Sequence, residues 1–114
     1  MWGCEPEPYS AADVTRLASD AADPVCHQSV DLFCNLLGTA AGNLAITVCA
    51  EGGVYLCGGM IPALLPMLRS SQFRRRFESR GPMTDYVRPI ATLAVVTPEL
   101  ALLGAAAEHR ARFA

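Results

Sequence analysis

The sequence contains no lysine; all nine of its basic residues are arginine. That excludes a phosphate-loop lysine and a Schiff-base lysine, two roles in which the amine itself does the work. Charge is scarce altogether. Only 18% of residues are charged and the net charge is -2, which gives no electrostatic reason to expect nucleic acid or an anionic membrane as a partner. There are only two histidines. No two of the five cysteines (Cys4, Cys26, Cys34, Cys49, Cys57) stand at the short spacing of a zinc knuckle. Four of them fall in apolar stretches, where a free thiol packs as a small hydrophobe. The expectation is buried structural thiols and no metal. The odd cysteine count and the lack of a signal peptide point to a reducing, cytoplasmic setting.

What the chain does have is apolar surface. Hydrophobic residues make up 52% of 114, more than a typical soluble domain carries, which suggests a surface normally covered by something else. A chain of this size buries roughly two thirds of its unfolded surface, enough for one core. Residues 32–50 and 52–68 contain no charge. However, Asn35, Thr39, Asn43 and Thr47 interrupt the first run, and Gly58, Gly59, Pro62 and Pro66 the second. A buried helix followed by a buried strand therefore fits better than a membrane span.

Residues 1–10 read as an irregular arm, because Pro6 and Pro8 block regular structure. Ser10, with Asp13 three residues on, signals a capped helix over 11–21 with Val14, Leu17 and Ala18 on one side. Asp23 and Pro24 open a second helix over 24–50, striped by Val30, Phe33, Cys34, Leu37, Ala40, Ala41, Leu44 and Val48. Gly38 and Gly42 lie one turn apart inside it. Each costs about 1 kcal/mol relative to Ala, so their missing side chains are expected to admit another backbone. Val54-Tyr55-Leu56-Cys57 and Thr92–Val96 read as strands buried on both faces, as in a parallel sheet. Between them Pro62 opens a helix carrying Leu64, Leu65 and Leu68. Ser70 or Ser71 restarts it, Phe73 and Phe77 pack one turn apart, and Gly81-Pro82 stops it. Thr97, Pro98 and Glu99 signal the start of a last helix through Leu100, Leu103 and Ala107. Strand, helix and strand in this order predict a βαβ crossover in an α/β fold. Two strands are too few for a comfortable sheet, which is expected to continue in other sequence or in a partner chain.

The segment Gly52-Gly53-Val54-Tyr55-Leu56-Cys57-Gly58-Gly59-Met60-Ile61-Pro62 bears chemistry as well as shape. A strand that ends in two glycines and enters a helix exposes backbone at the C-terminal edge of a parallel sheet, where α/β proteins bind ligands. A nucleotide can lie against glycine main chain there. A tight turn needing glycine only for its geometry is the alternative.

With Gly42-Asn43-Leu44-Ala45 upstream, this segment resembles the part of bacterial glucokinases that joins the inter-domain helix to the adenosine-binding turn. Phe73-Arg74-Arg75-Arg76-Phe77-Glu78 followed by Arg80-Gly81, Met83 and Tyr86 is similar to the family's Phe-Arg-x-x-Phe-Glu-x-Lys-Gly segment. Leu102-Leu103-Gly104-Ala105-Ala106-Ala107 resembles its closing helix, and Asp31-Leu32-Phe33-Cys34 the start of its long one. The likeness covers roughly residues 12–109, in order. Arg80 and Pro82 depart from the pattern, and so does Glu99-Leu100-Ala101.

The resemblance implies the helix-rich C-terminal part of a ribonuclease H-like sugar-kinase domain over 11–114, carrying the adenosine-side half of an ATP site. It implies an enzyme that phosphorylates glucose at its 6-hydroxyl with ATP and Mg²⁺, in the cytoplasm, as a homo-oligomer. Gly58 and Gly59 carry over as the nucleotide turn, with Met60 and Ile61 as adenine-side neighbours. The family's phosphate loop, its Asn-Asp catalytic pair and its Gly-Thr-Glu-Gly-Gly-His segment have no counterpart. Asp13, Asp20, Asp23, Asp31 and Asp85 all stand in unrelated contexts. The chain alone is therefore expected to be inactive, needing the missing N-terminal half or a partner chain. The alternative is a truncated or split-gene domain that acts only in binding or assembly. Arg69, Arg74, Arg75, Arg76 and Arg80 are expected to form a solvated face, since Phe73 and Phe77 must face inward.

Overall fold

The computed structural model describes residues 8–20 and 22–113. Most of the expected N-terminal arm, Cys4 with it, lies outside the described residues. Six helices and two short strands follow in the order α1 (Ala11–Ser19), α2 (Pro24–Thr47), β1 (Val54–Leu56), α3 (Ile61–Ser70), α4 (Phe73–Glu78), α5 (Thr84–Val87), β2 (Thr92–Ala94) and α6 (Leu100–Phe113). A 3-10 turn at Gly81–Met83 precedes α5.

The caps of the first two helices are those the sequence predicts. Ser10 and Asp13 form a reciprocal capping box on α1. The Asp23 carboxylate accepts from the Val25 and Cys26 N–H groups at 2.9 and 3.3 Å, and Pro24 occupies the first turn of α2. Hydrogen bonds from Cys26 and Val25 hold the Asp23 carboxyl below its ordinary pKa.

α2 is the axis of the fold, and α1 and α4 pack along it. Its buried seam is Cys26, Val30, Cys34, Gly38, Ala41, Gly42 and Ala45. The expected stripe is thus half corrected: Phe33, Ala40, Leu44 and Val48 are exposed, and so are Leu32 and Leu36. The seam is made of small residues because α4 approaches so closely. A Cβ at Gly38 would overlap the Phe73 carbonyl, and one at Gly42 would fall 2.5 Å from the Phe77 carbonyl oxygen. The close-approach expectation holds at both glycines. By length and apolarity α2 could cross a membrane, but here its glycine face is covered by α4.

Phe73 and Phe77 are buried and stacked, with ring centroids 6.5 Å apart. They meet Leu64, Met67 and Leu68 of α3, together with Val87 and Ile90, in a single core. β1 and β2 pair in parallel, Val54 with Thr92, Tyr55 with Leu93 and Leu56 with Ala94. The strands are not buried on both faces as expected. Val54, Leu56 and Ala94 pack on the core, while Tyr55 is 59% and Leu93 45% exposed, because no described element lies over that side.

Three further expectations are corrected. Cys26 and Cys34 are buried thiols, but Cys49 and Cys57 are exposed, just past the ends of α2 and β1. α6 starts at Leu100 rather than after Thr97, because Glu99 has a left-handed φ of 56° that no α-helix accommodates. The arginines are not uniformly a solvated face. Arg75 and Arg76 are exposed, whereas Arg74 and Arg80 direct their guanidinium groups onto main-chain carbonyls.

Candidate functional site

The parallel register brings the C-terminal ends of β1 and β2 side by side. The Val95 N–H donates to the Leu56 carbonyl (2.9 Å) and so extends the ladder one step beyond the strands. Past that point the chains part. Cys57-Gly58-Gly59 turns toward α3, and Val95 to Glu99 turns toward α6. Between them opens a concavity of about 670 Å³, lined by Cys57, Gly58, Gly59, Pro62 and the run from Val95 to Ala101. A ligand seated there would meet main chain and small or apolar side chains. Among the described residues that line it, Glu99 is the only carboxylate, and there is no Asp or His.

Gly58 has φ +132°, a conformation that side chains resist, and its carbonyl accepts the Ile61 N–H (3.2 Å) to close the turn. A Cβ added at Gly58 or Gly59 would meet no atom within 4 Å. Gly59 therefore keeps an open face without needing a glycine conformation.

The structure does not gather the four sequence-predicted residues in one place. Gly58 and Gly59 line the cleft. Gly59 also borders a second hollow of about 420 Å³ with Met60, Ala63, the α1 residues Ala11, Ala12, Thr15, Arg16 and Ser19, and Asp20 just past the end of α1. Met60 is half exposed. Ile61 is buried in the core, and its N–H is used by the turn, so its side chain reaches neither hollow. The α1 residues and the β2–α6 loop carry no sequence signal that ties them to this turn. Some forty residues separate each from Gly59, and only folding brings them together.

The other candidates do structural work. His27 Nδ1 faces the Ala18 carbonyl at 3.4 Å, between α2 and α1, and His109 packs on the Phe113 ring. Asp13 and Asp23 cap helices, Asp31 accepts from Asn35 (3.0 Å), and Asp85 pairs with Arg88 on the surface. No cluster of His, Cys, Asp or Glu able to hold a metal ion occurs among the described residues.

Comparison with known proteins agrees with this architecture. A family model described as glucokinase matches residues 2–112. Glucokinase of Nitrobacter hamburgensis is 45% identical over 104 residues, covering 91% of this chain and 32% of the relative. Glucokinase of Neisseria gonorrhoeae is 43% identical over 103 residues, covering 90% and 31%. The crystal structure of a glucokinase from an Antarctic psychrotroph superposes with a TM-score of 0.81 at 34% identity, covering 96% of this chain and 34% of that one. The chain thus spans about a third of the length of the relatives it matches, in their C-terminal part. Its mixed α/β fold, its parallel strand pair and a family match along nearly its whole length agree: the chain belongs to the glucokinase family.

Proposed function

We propose that this chain forms the adenosine side of the ATP site of a glucokinase, which transfers phosphate from ATP to the 6-hydroxyl of glucose. The observation that carries the proposal is the Gly58-Gly59 turn, open on its ligand-facing side and set where the carboxyl ends of two parallel strands diverge. In this reading the ribose crosses Gly59. The adenosine spans the two hollows that meet at Gly59, one beside Met60 and α1 and the other beside Gly58. Such a surface offers contacts to a base and a sugar and little to a phosphoryl transition state.

Phosphoryl transfer needs a base at the acceptor hydroxyl and preorganised positive charge on the phosphates. Among the described residues the cleft holds no Asp and no Arg, and the chain has no lysine. The chain's own residues would bind and orient adenosine, while the general base, the phosphate loops and the glucose contacts come from the other two thirds of a glucokinase fold. Mg²⁺ accompanies ATP in such an enzyme, but the described residues offer no ligand set for it. The apolar surfaces left open on α2 (Leu32, Phe33, Leu36), on the sheet (Tyr55, Leu93) and on α6 (Leu102, Leu103) favour that same covering polypeptide. We place the assembled protein in the cytoplasm, consistent with four free thiols among the described residues.

Thiol labelling tests the site directly. Cys57 lines the cleft and Cys49 does not, and both are exposed. Rising ATP should slow alkylation of Cys57, read by peptide mass spectrometry, and leave Cys49 unchanged. Equal rates with and without saturating ATP would remove the nucleotide from this cleft.

A further inference from the structure

Arg74 makes contacts that neither its exposed neighbours nor its place in an arginine run would suggest. On one edge its Nε donates to the Glu78 carboxylate (2.8 Å), and its guanidinium carbon lies 4.8 Å over the Phe77 ring. On the other edge Nη2 donates to the Arg88 carbonyl (2.7 Å). Nη1 donates to the Ile90 carbonyl (2.8 Å) and lies 3.4 Å from Thr92 Oγ1. A planar fork held by a carboxylate and a ring thus grips two carbonyls of the connection that feeds β2.

The helix bearing this fork is itself pinned. Asn35 Oδ1 accepts the Gln72 N–H (2.8 Å) at one end of α4, and Arg80 donates to Asn43 at the other. Between these pins the carbonyls of Phe73 and Phe77 sit against Gly38 and Gly42. β2, by contrast, has three residues and one strand partner, and a single ladder step beyond it begins the loop that forms one wall of the cleft.

We infer that Arg74 is a positioning residue: it sets the entry of β2, and through it the Val95–Ala101 wall, relative to the Gly58-Gly59 turn. The clamp follows from geometry alone; its effect on nucleotide binding rests on the function proposed above. Lysine should not substitute, since one ammonium cannot hold Glu78 and two carbonyls in fixed directions.

The test compares Arg74→Lys and Arg74→Gln with Arg75→Gln, a control at an exposed position of the same helix. Amide hydrogen exchange of the 114-residue chain is read at the two ends of the ladder. These are the Val54 N–H, bonded to the Ala91 carbonyl (2.8 Å), and the Val95 N–H. Both Arg74 variants should speed exchange there about tenfold or more, with α2 amides such as Ala45 changed much less and the Arg75 variant like wild type. In chains that still show ATP protection of Cys57, the half-protecting ATP concentration should rise about tenfold for Arg74→Lys. Unchanged exchange at Val54 and Val95, or acceleration equal to that in α2, would overturn the clamp. Normal ATP protection despite loosened amides would overturn its role in positioning the wall. A wild-type chain whose Cys57 ATP never protects overturns the nucleotide site, and the exchange result then judges the clamp by itself.

Discussion

The carbonyl oxygen of Phe77 occupies the place where a side chain on Gly42 would begin, 2.5 Å from the position of its Cβ. One turn earlier Gly38 stands in the same relation to Phe73. Two glycines that weaken a helix interior are thereby the condition for the close approach of α4 to α2. At these two points α4 meets α2 through its backbone.

Replacing Gly42 with Leu should destabilise the chain even though Leu favours helix. The gain of about 1 kcal/mol in propensity is outweighed by overpacking, which costs about 1–3 kcal/mol and more when the obstacle is backbone. Thermal melts should show a clear drop. Gly104→Ala, on an exposed helix with open space around it, should show none. A higher melting temperature for Gly42→Leu would contradict the close approach.

Gly59→Val separates structural glycine from ligand-facing glycine. Its Cβ enters open space and its φ is not left-handed, so the melting temperature should barely move. If adenosine lies across the turn, the ATP constant should nevertheless rise roughly ten- to a hundred-fold, a loss of about 1.4–2.8 kcal/mol. In an assembled enzyme the glucose constant should change far less. Gly58→Val should instead lower stability, because φ +132° strains a β-branched residue. An unaltered ATP constant in a folded Gly59→Val protein would argue against the site.

The isolated chain should not phosphorylate glucose. Among the described residues its cleft presents no Asp and no cationic side chain to the phosphates, and those groups supply most of the stabilisation in phosphoryl transfer. A coupled glucose 6-phosphate assay with ATP and Mg²⁺ is expected to stay at background. Turnover near the roughly 1–100 s⁻¹ usual for kinases would refute the division of labour.

Acid should loosen the start of α2. Backbone hydrogen bonds from Cys26 and Val25 lower the Asp23 pKa in the folded state below its ordinary 3.8. Such a group contributes stability above its unfolded pKa and loses it as pH falls through the folded value. Denaturant midpoints should therefore fall on going from pH 7 to below pH 3, and fall less in Asp23→Asn, which keeps an acceptor without the titration. Identical acid sensitivity in the two proteins would show that Asp23 does not contribute to it.

The sequence by itself determined the order of the longer helices and the two strands, though not α5, together with the caps at Ser10 and Asp23, the glycine seam of α2 and the turn after β1. Each is a local matter of capping groups, glycine, proline or periodicity. Only the tertiary structure decided which face of α2 is buried, because that helix is apolar nearly all round and periodicity alone does not choose a side. Close approach of α4 chose the small residues and turned Phe33 and Leu44 outward. It also decided that Arg74 reaches carbonyls 14 and 16 residues away rather than water, and that α1 meets Gly59 across a hollow. Those outcomes depend on where separate segments come to rest, and a packed backbone fixes that where a linear pattern of side chains does not.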